Sequence, residues 1–95
     1  MRAQRDAVQR IAAAVASIPP GQVRSYAQVA VLAGLPGHAR QLARVLAGHT
    51  GLPWHRVVRA DGRIAFAPNS VQAHEQARHL DREGVRVVNG RVAAV

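Results

Sequence analysis

Arg40 and Arg44 stand four residues apart in a stretch where Ala39, Leu42, Ala43 and Leu46 recur at helical spacing. On a helix the two guanidinium groups therefore share one face and the apolar side chains another. Each guanidinium is a planar fork of donors that suits phosphates, groove edges and stacked bases better than an ammonium does. The whole chain repeats that choice. Its thirteen basic residues are all arginine, against five acidic residues, for a formal net charge of +8 in 95 residues. GC-rich coding would explain Arg in place of Lys but not the excess of positive over negative, which points to a polyanionic partner.

Other chemistry is excluded by residue type or spacing. The sequence contains no cysteine, which rules out disulfides, thiolate metal sites and a thiol nucleophile. Of the five histidines, His74 and His79 are five apart, a separation of about 140° around a helix, so they cannot chelate as an i, i+4 pair would. No P-loop, dinucleotide fingerprint or serine-nucleophile motif is present. No metal and no cofactor are expected. Met1 to Asp6 leads into an amphipathic pattern, unlike a signal segment, and no stretch approaches the roughly 20 apolar residues of a membrane span. A soluble cytoplasmic protein, monomeric and associated with the nucleoid, is the expectation.

The elements that must position these arginines are small. Val8, Ile11, Ala12 and Val15 predict a first helix of about three turns, stopped by Ile18-Pro19-Pro20-Gly21. Ser25-Tyr26-Ala27-Gln28 has the spacing of a capping box, which starts a second helix at Ser25. That helix buries Val29, Ala30 and Ala33 and ends at Gly34. After Leu35-Pro36-Gly37 comes the third helix, with Ala39, Leu42, Ala43 and Leu46 inward. Two short helices joined by a Gly-containing turn, the second basic on its exposed side, form a helix-turn-helix. Val57-Val58 and Ile64-Ala65-Phe66 flank Asp61-Gly62, which predicts a hairpin serving as a wing. Asn69 or Ser70 caps a last helix burying Ala73, Ala77 and Leu80 and ending at Gly84. Val85, Val87 and Val92 around Asn89-Gly90 predict a further hairpin. The expected fold is mainly α: a winged-helix-like helix-turn-helix DNA-binding domain with one or two short β-hairpins, occupying residues 1–95 as a single domain.

The ordered set Ile18-Pro19-x-Gly21, Ser25-Tyr26, Ala33-Gly34-x-Pro36, Ala39-Arg40, Pro53-Trp54-His55-Arg56-Val57-Val58 and Leu80…Glu83-Gly84 resembles the DNA-binding domain of the O6-alkylguanine-DNA alkyltransferases. The resemblance runs from about residue 5 to residue 88. It implies minor-groove binding by the helix-turn-helix and rotation of the target guanine into a pocket, where a cysteine between Pro and His-Arg takes the alkyl group. Here Trp54 stands in that slot, as in the alkyltransferase-like proteins, which the resemblance implies bind O6-alkylguanine without repairing it and present it to nucleotide excision repair. The separate N-terminal domain of full-length alkyltransferases is likewise not expected.

Alkyl transfer needs a readily ionised sulfur, which indole does not provide. Trp54 is instead expected to form a floor or wall for the flipped base, in a lesion pocket with Tyr26, Pro53 and His55. By resemblance, Tyr26 crowds the phosphate beside the lesion and Arg40 enters the stack in place of the extruded guanine, offsetting part of the extrusion cost. Ser25, Arg44 and Arg56 complete the expected DNA-binding set, although Arg56 is favoured as a tie for the pocket loop. His55 and Glu83 correspond to residues that activate the cysteine, and are expected here as a structural pair. Two departures from the family stand out. His49 falls where active relatives commonly carry Asn, ahead of a shortened loop to Pro53. Phe66-Ala67-Pro68 occupies the place of a lesion-contacting Arg, leaving Arg59 and Arg63 as alternatives. The competing functions are a sequence-specific winged-helix transcription regulator and a glycosylase or transferase built on Glu83.

Overall fold

The computed structural model describes residues 2–48 and 51–93, residues 2–5 by their backbone alone. His49, and with it the middle of the loop before Pro53, lies outside the described residues. The elements run α1 (Arg2–Ala16), β1 (Arg24–Ser25), α2 (Tyr26–Leu32), α3 (Ala39–Gly48), a 3-10 turn (Trp54–Arg56), β2 (Val57–Val58), α4 (Val71–Arg82), β3 (Val87–Val88) and β4 (Arg91–Val92). The mainly helical class and the helix-turn-helix are as expected. No described helix is long and apolar enough to cross a membrane.

Local chemistry sets the helix ends. Ser25 Oγ accepts from the Gln28 amide at 3.1 Å while Gln28 Oε1 accepts from the Ser25 amide at 2.8 Å, which closes the capping box. At the other end Gly34 takes φ +75°. There the Leu35 amide donates to the Ala30 carbonyl (2.8 Å) and the Gly34 amide to the Val31 carbonyl (3.0 Å), a Schellman cap. Ser70, not Asn69, caps α4, its hydroxyl accepting from the Ala73 amide at 3.1 Å.

Two cores share one strand. Ile11, Ala14, Val15, Ile18, Val29, Ala33, Leu42, Leu46 and Val57 pack α1, α2 and α3 together. Val58, Leu80, Val85 and Val92 form a second cluster under α4 and the C-terminal hairpin. Successive residues of a strand face opposite ways, so Val57 enters the first core and Val58 the second. On α1 the inward edge is corrected by a small rotation: Ala7 and Ala14 join Ile11 and Val15 in the interior, while Val8 and Ala12 are half-buried.

The predicted wing is also corrected. Val57-Val58 does not pair with 64–66 but runs parallel to β1, with Arg24 opposite Val57 and Ser25 opposite Val58. Both valines are buried, and a strand buried on both faces belongs inside a parallel pairing, not on an exposed ribbon. The Asp61-Gly62 turn does form, closed by Arg59 N to Arg63 O at 2.9 Å and Gly62 N to Arg59 O at 2.8 Å. Its far side then joins the other hairpin through the Arg63–Arg91 bridge and the Ile64 N to Gly90 O bond of 2.8 Å. That second hairpin is as expected: β3 and β4 are antiparallel, and Asn89 and Gly90 both have positive φ, the geometry of a type I′ turn.

Gln76 occupies a core position on α4 at 1% exposure. Its Nε2 donates to the carbonyls of His55 and Val57, each at 3.0 Å, and so fastens α4 to the 3-10 turn. Gln76→Leu removes the donor that both carbonyls share. It is expected to cost about 1–3 kcal/mol, read as a lower urea midpoint with an unchanged slope.

Candidate nucleic-acid interface

Trp54 opens the 3-10 turn directly after Pro53, and its amide donates to the Leu52 carbonyl at 2.8 Å. The indole forms one wall of a pocket of about 180 Å³ whose other walls are Tyr26, Ala43, Leu46, Ala47 and Phe66. α3 thus supplies one side through Ala43, Leu46 and Ala47. Ala43 is exposed and lines the pocket rather than the core, a correction to its expected inward position. Tyr26, the first residue of α2, supplies a second side because the Ser25 cap fixes where that helix begins. Burial raises the Tyr26 phenol pKa, against the opposing charge of Arg59, so the group stays neutral at physiological pH.

Trp54 is held by neighbouring rings. It meets Phe66 edge-on at 5.8 Å, His79 at 6.2 Å and His55 at 6.3 Å between centroids. His79 in turn stacks on His55 at 5.0 Å. Neither Phe66 nor His79 was legible as a site residue. In the sequence Phe66 reads as the end of a wing strand and as a departure from a family arginine, and His79 as half of a pair unable to chelate. The one available signal was that a chain with three aromatic residues places one of them in that segment. Because Trp54 is the only tryptophan, its emission reports on this box. His79→Ala is expected to shift the emission maximum of the free protein by several nanometres, whereas His79→Phe, which keeps a ring edge, restores it.

Pro53 and His55, expected in the pocket, do not line it. His55 is 9% exposed and belongs to a polar anchor beneath. Its Nε2 lies 2.9 Å from Glu83 Oε2. Arg56 donates through Nε to Glu83 Oε1 (3.0 Å), through Nη2 to Oε2 (2.6 Å) and through Nη1 to the Ile18 carbonyl (2.8 Å). The Arg56 guanidinium, with help from His55, holds the Glu83 carboxyl well below its usual range, at about 2. The anchor ties the Trp54 turn to the end of α4 and to the turn after α1. The expected structural pair of His55 and Glu83 is therefore present. Arg56, counted in the DNA-binding set, instead has its donors committed inside the fold, with 14% of its side chain exposed.

Ser25 spends its hydroxyl on the helix cap. Arg40 and Arg44 are both exposed on α3, neither of them in an ion pair among the described residues. Ala43 and Ala47, which line the pocket, lie on the same helix. Among the described residues no group of three or more His, Cys, Asp and Glu could hold a metal ion.

Residues 6–85 match the family model of the 6-O-methylguanine DNA methyltransferase DNA-binding domain. The DNA base-flipping protein of Escherichia coli K12 is 47% identical over 83 residues, covering 83% of this chain but 62% of that protein, so the chain spans less than two thirds of that relative. Alkyltransferase-like protein 1 of Schizosaccharomyces pombe is 36% identical over 77 residues, 78% of this chain and 71% of that one. The crystal structure of S. pombe Atl1 in complex with damaged DNA containing O6-carboxymethylguanine superposes with a TM-score of 0.81 at 31% identity, covering 88% of this chain and 81% of that one. Mycobacterium tuberculosis OGT in complex with DNA gives a TM-score of 0.71 at 29% identity over 81% of this chain and 48% of that one. With Trp54 at the pocket wall and these relatives around it, the chain belongs to the 6-O-methylguanine DNA methyltransferase DNA-binding-domain family as an alkyltransferase-like protein.

Proposed function

We propose that the protein recognises O6-alkylguanine in duplex DNA, holds the extruded base in the pocket between α3, Tyr26, Trp54 and Phe66, and leaves it chemically unchanged. The single observation that carries this reading is Trp54 in the pocket wall of a chain without cysteine. The cavity's apolar walls and indole suit the flat face of an alkylated base, and no thiol is there to receive an alkyl group. Glu83 offers no substitute nucleophile, since both its oxygens are engaged by Arg56 and His55.

Binding begins with Arg40 and Arg44 against the phosphates and grooves. Arg40 then fills the gap left in the stack while Tyr26 keeps the nucleotide rotated out. The persistent distortion is offered to nucleotide excision repair. Fluorescence-anisotropy titration of matched duplexes with and without one O6-methylguanine tests the reading. Tighter binding to the modified duplex in several sequence contexts is expected. Equal affinity for both, or preference for one unmodified sequence, would leave a winged-helix regulator as the better account. Mass spectrometry of the incubated mixture must show both protein and DNA at unchanged mass.

A further inference from the structure

Beyond Phe66 the surface opens into a second, larger cleft of about 1130 Å³ to which α3 contributes no residue. Its floor is aliphatic, including Ile64, Ala77 and Val87, and Arg59, Arg63 and Arg91 stand around it. All three arginines are exposed. Their convergence follows from strand pairing: the Arg63–Arg91 bridge sets two of them side by side. The parallel register, with Ser25 opposite Val58, makes Tyr26 and Arg59 the next residues of the two segments, and the Arg59 charge reaches the Tyr26 phenol. One carboxylate, Asp61, sits in the turn between them; it accepts the Arg63 amide at 3.0 Å and lies 3.5 Å from Arg63 Nε. The charges of Arg63, Arg91 and Arg59 all reach it, after that amide bond, in keeping its carboxyl below the usual range. Three guanidinium groups around one carboxylate leave a local excess of two positive charges, which calls for an anionic ligand.

We propose that Arg59, Arg63 and Arg91 form a second DNA-binding ridge, which holds consecutive backbone phosphates of the lesion-bearing strand on one side of the extruded nucleotide. The geometry favours that strand over an acidic protein segment. Tyr26 stands at the pocket and Arg59 beside Tyr26, so a strand whose nucleotide enters the pocket continues directly onto the ridge. Phe66, common to both cavities, separates the base from that backbone path. α3 then grips the duplex on one side of the pocket and the ridge grips it on the other. The inference rests on base extrusion as read above.

The test uses the full chain carrying Arg63→Ala and Arg91→Ala together, with Arg63→Lys and Arg91→Lys as the charge-preserving pair. Affinity for a duplex with one O6-methylguanine and for its unmodified twin is measured across a salt series. Each lost phosphate contact flattens the slope of log K on log salt by about 0.9, so the alanine pair should flatten it by about 2 and the lysine pair should keep it. Neutral methylphosphonates are then placed singly at the phosphates flanking the lesion. The unaltered protein should lose affinity at two or three positions on one side, and the alanine pair, which keeps Arg59, should be indifferent to all but one of those positions. An unchanged salt slope in the alanine pair, or the same methylphosphonate pattern in both proteins, overturns the ridge. Failure of the lesion reading looks different: the unaltered protein would bind both duplexes equally, while the slopes would still report the ridge.

Discussion

Trp54→Ala is expected to lower affinity for a duplex containing O6-methylguanine by ~5–150-fold, the equivalent of the ~1–3 kcal/mol that stacking on an aromatic side chain contributes per base. It leaves affinity for the unmodified duplex within about twofold. The split is expected because the indole borders the pocket, while Arg44, exposed on α3, is proposed to meet the phosphates whether or not a base is extruded. Trp54→Phe should recover much of the discrimination, since a ring of the same orientation can still face the guest and meet Phe66 edge-on. Anisotropy titrations on the paired duplexes measure both quantities. Equal losses on modified and unmodified DNA would mean that Trp54 supports the fold around α3 instead of contacting the lesion. Circular dichroism of the free variants separates that outcome from simple unfolding, because the half-buried Trp54 lies at the edge of the first core and not at its centre.

The parts of this architecture that were legible in the sequence are those decided within a few residues. Ser25 and Gln28 form a reciprocal cap that depends only on their spacing, and Asn89-Gly90 adopts positive φ at both positions because those two residue types tolerate it. Val57-Val58 misled because a two-residue apolar run fits a hairpin arm and a buried parallel strand equally well. Only its partner, Arg24–Ser25, decides between them, and nothing local marks that pairing. The site divides along the same line. Trp54 and Tyr26 could be placed through the family motif, but the rings that hold Trp54 come from separate elements, Phe66 before α4 and His79 within it. Gln76 is absent from the expected inner face of the last helix, Ala73, Ala77 and Leu80, yet it donates to two carbonyls of the 3-10 turn and β2. Burial of such a group is imposed by what packs against it, which no helical period reveals.

Glu83→Gln is expected to be strongly destabilising, at about 2–3 kcal/mol for a partly screened ion pair. The carboxylate receives two bonds from Arg56 and one from His55 with 16% of its side chain exposed. An amide in its place carries no charge and turns one donor toward donors, so Arg56 remains in a largely dry site without a counter-ion. Against the 5–15 kcal/mol that holds a domain of this size together, such a loss lowers the melting temperature by roughly 10–20 °C. Acid titration separates the charge from the shape. Folding depresses the Glu83 carboxyl from 4.5 to about 2. The stability it contributes is therefore present in full above pH 4.5 and lost as pH falls through about 2. Allowing for solvent screening of a partly exposed pair, that contribution is on the order of 2 kcal/mol. The Asp61 carboxyl, lowered by the Arg63 amide, adds an acid limb of its own, but Glu83→Gln retains it and the difference between the two proteins isolates Glu83. Urea midpoints of the unaltered protein and the variant should converge as the pH is taken from 4.5 toward 2, because protonation removes from one what substitution has already removed from the other. Parallel curves across that range would place the worth of the anchor in packing and not in charge. Arg56→Met, which leaves Glu83 with His55 and the Gly21 amide, should move the limb to higher pH, since the guanidinium is the largest of the influences that hold the carboxylate ionised.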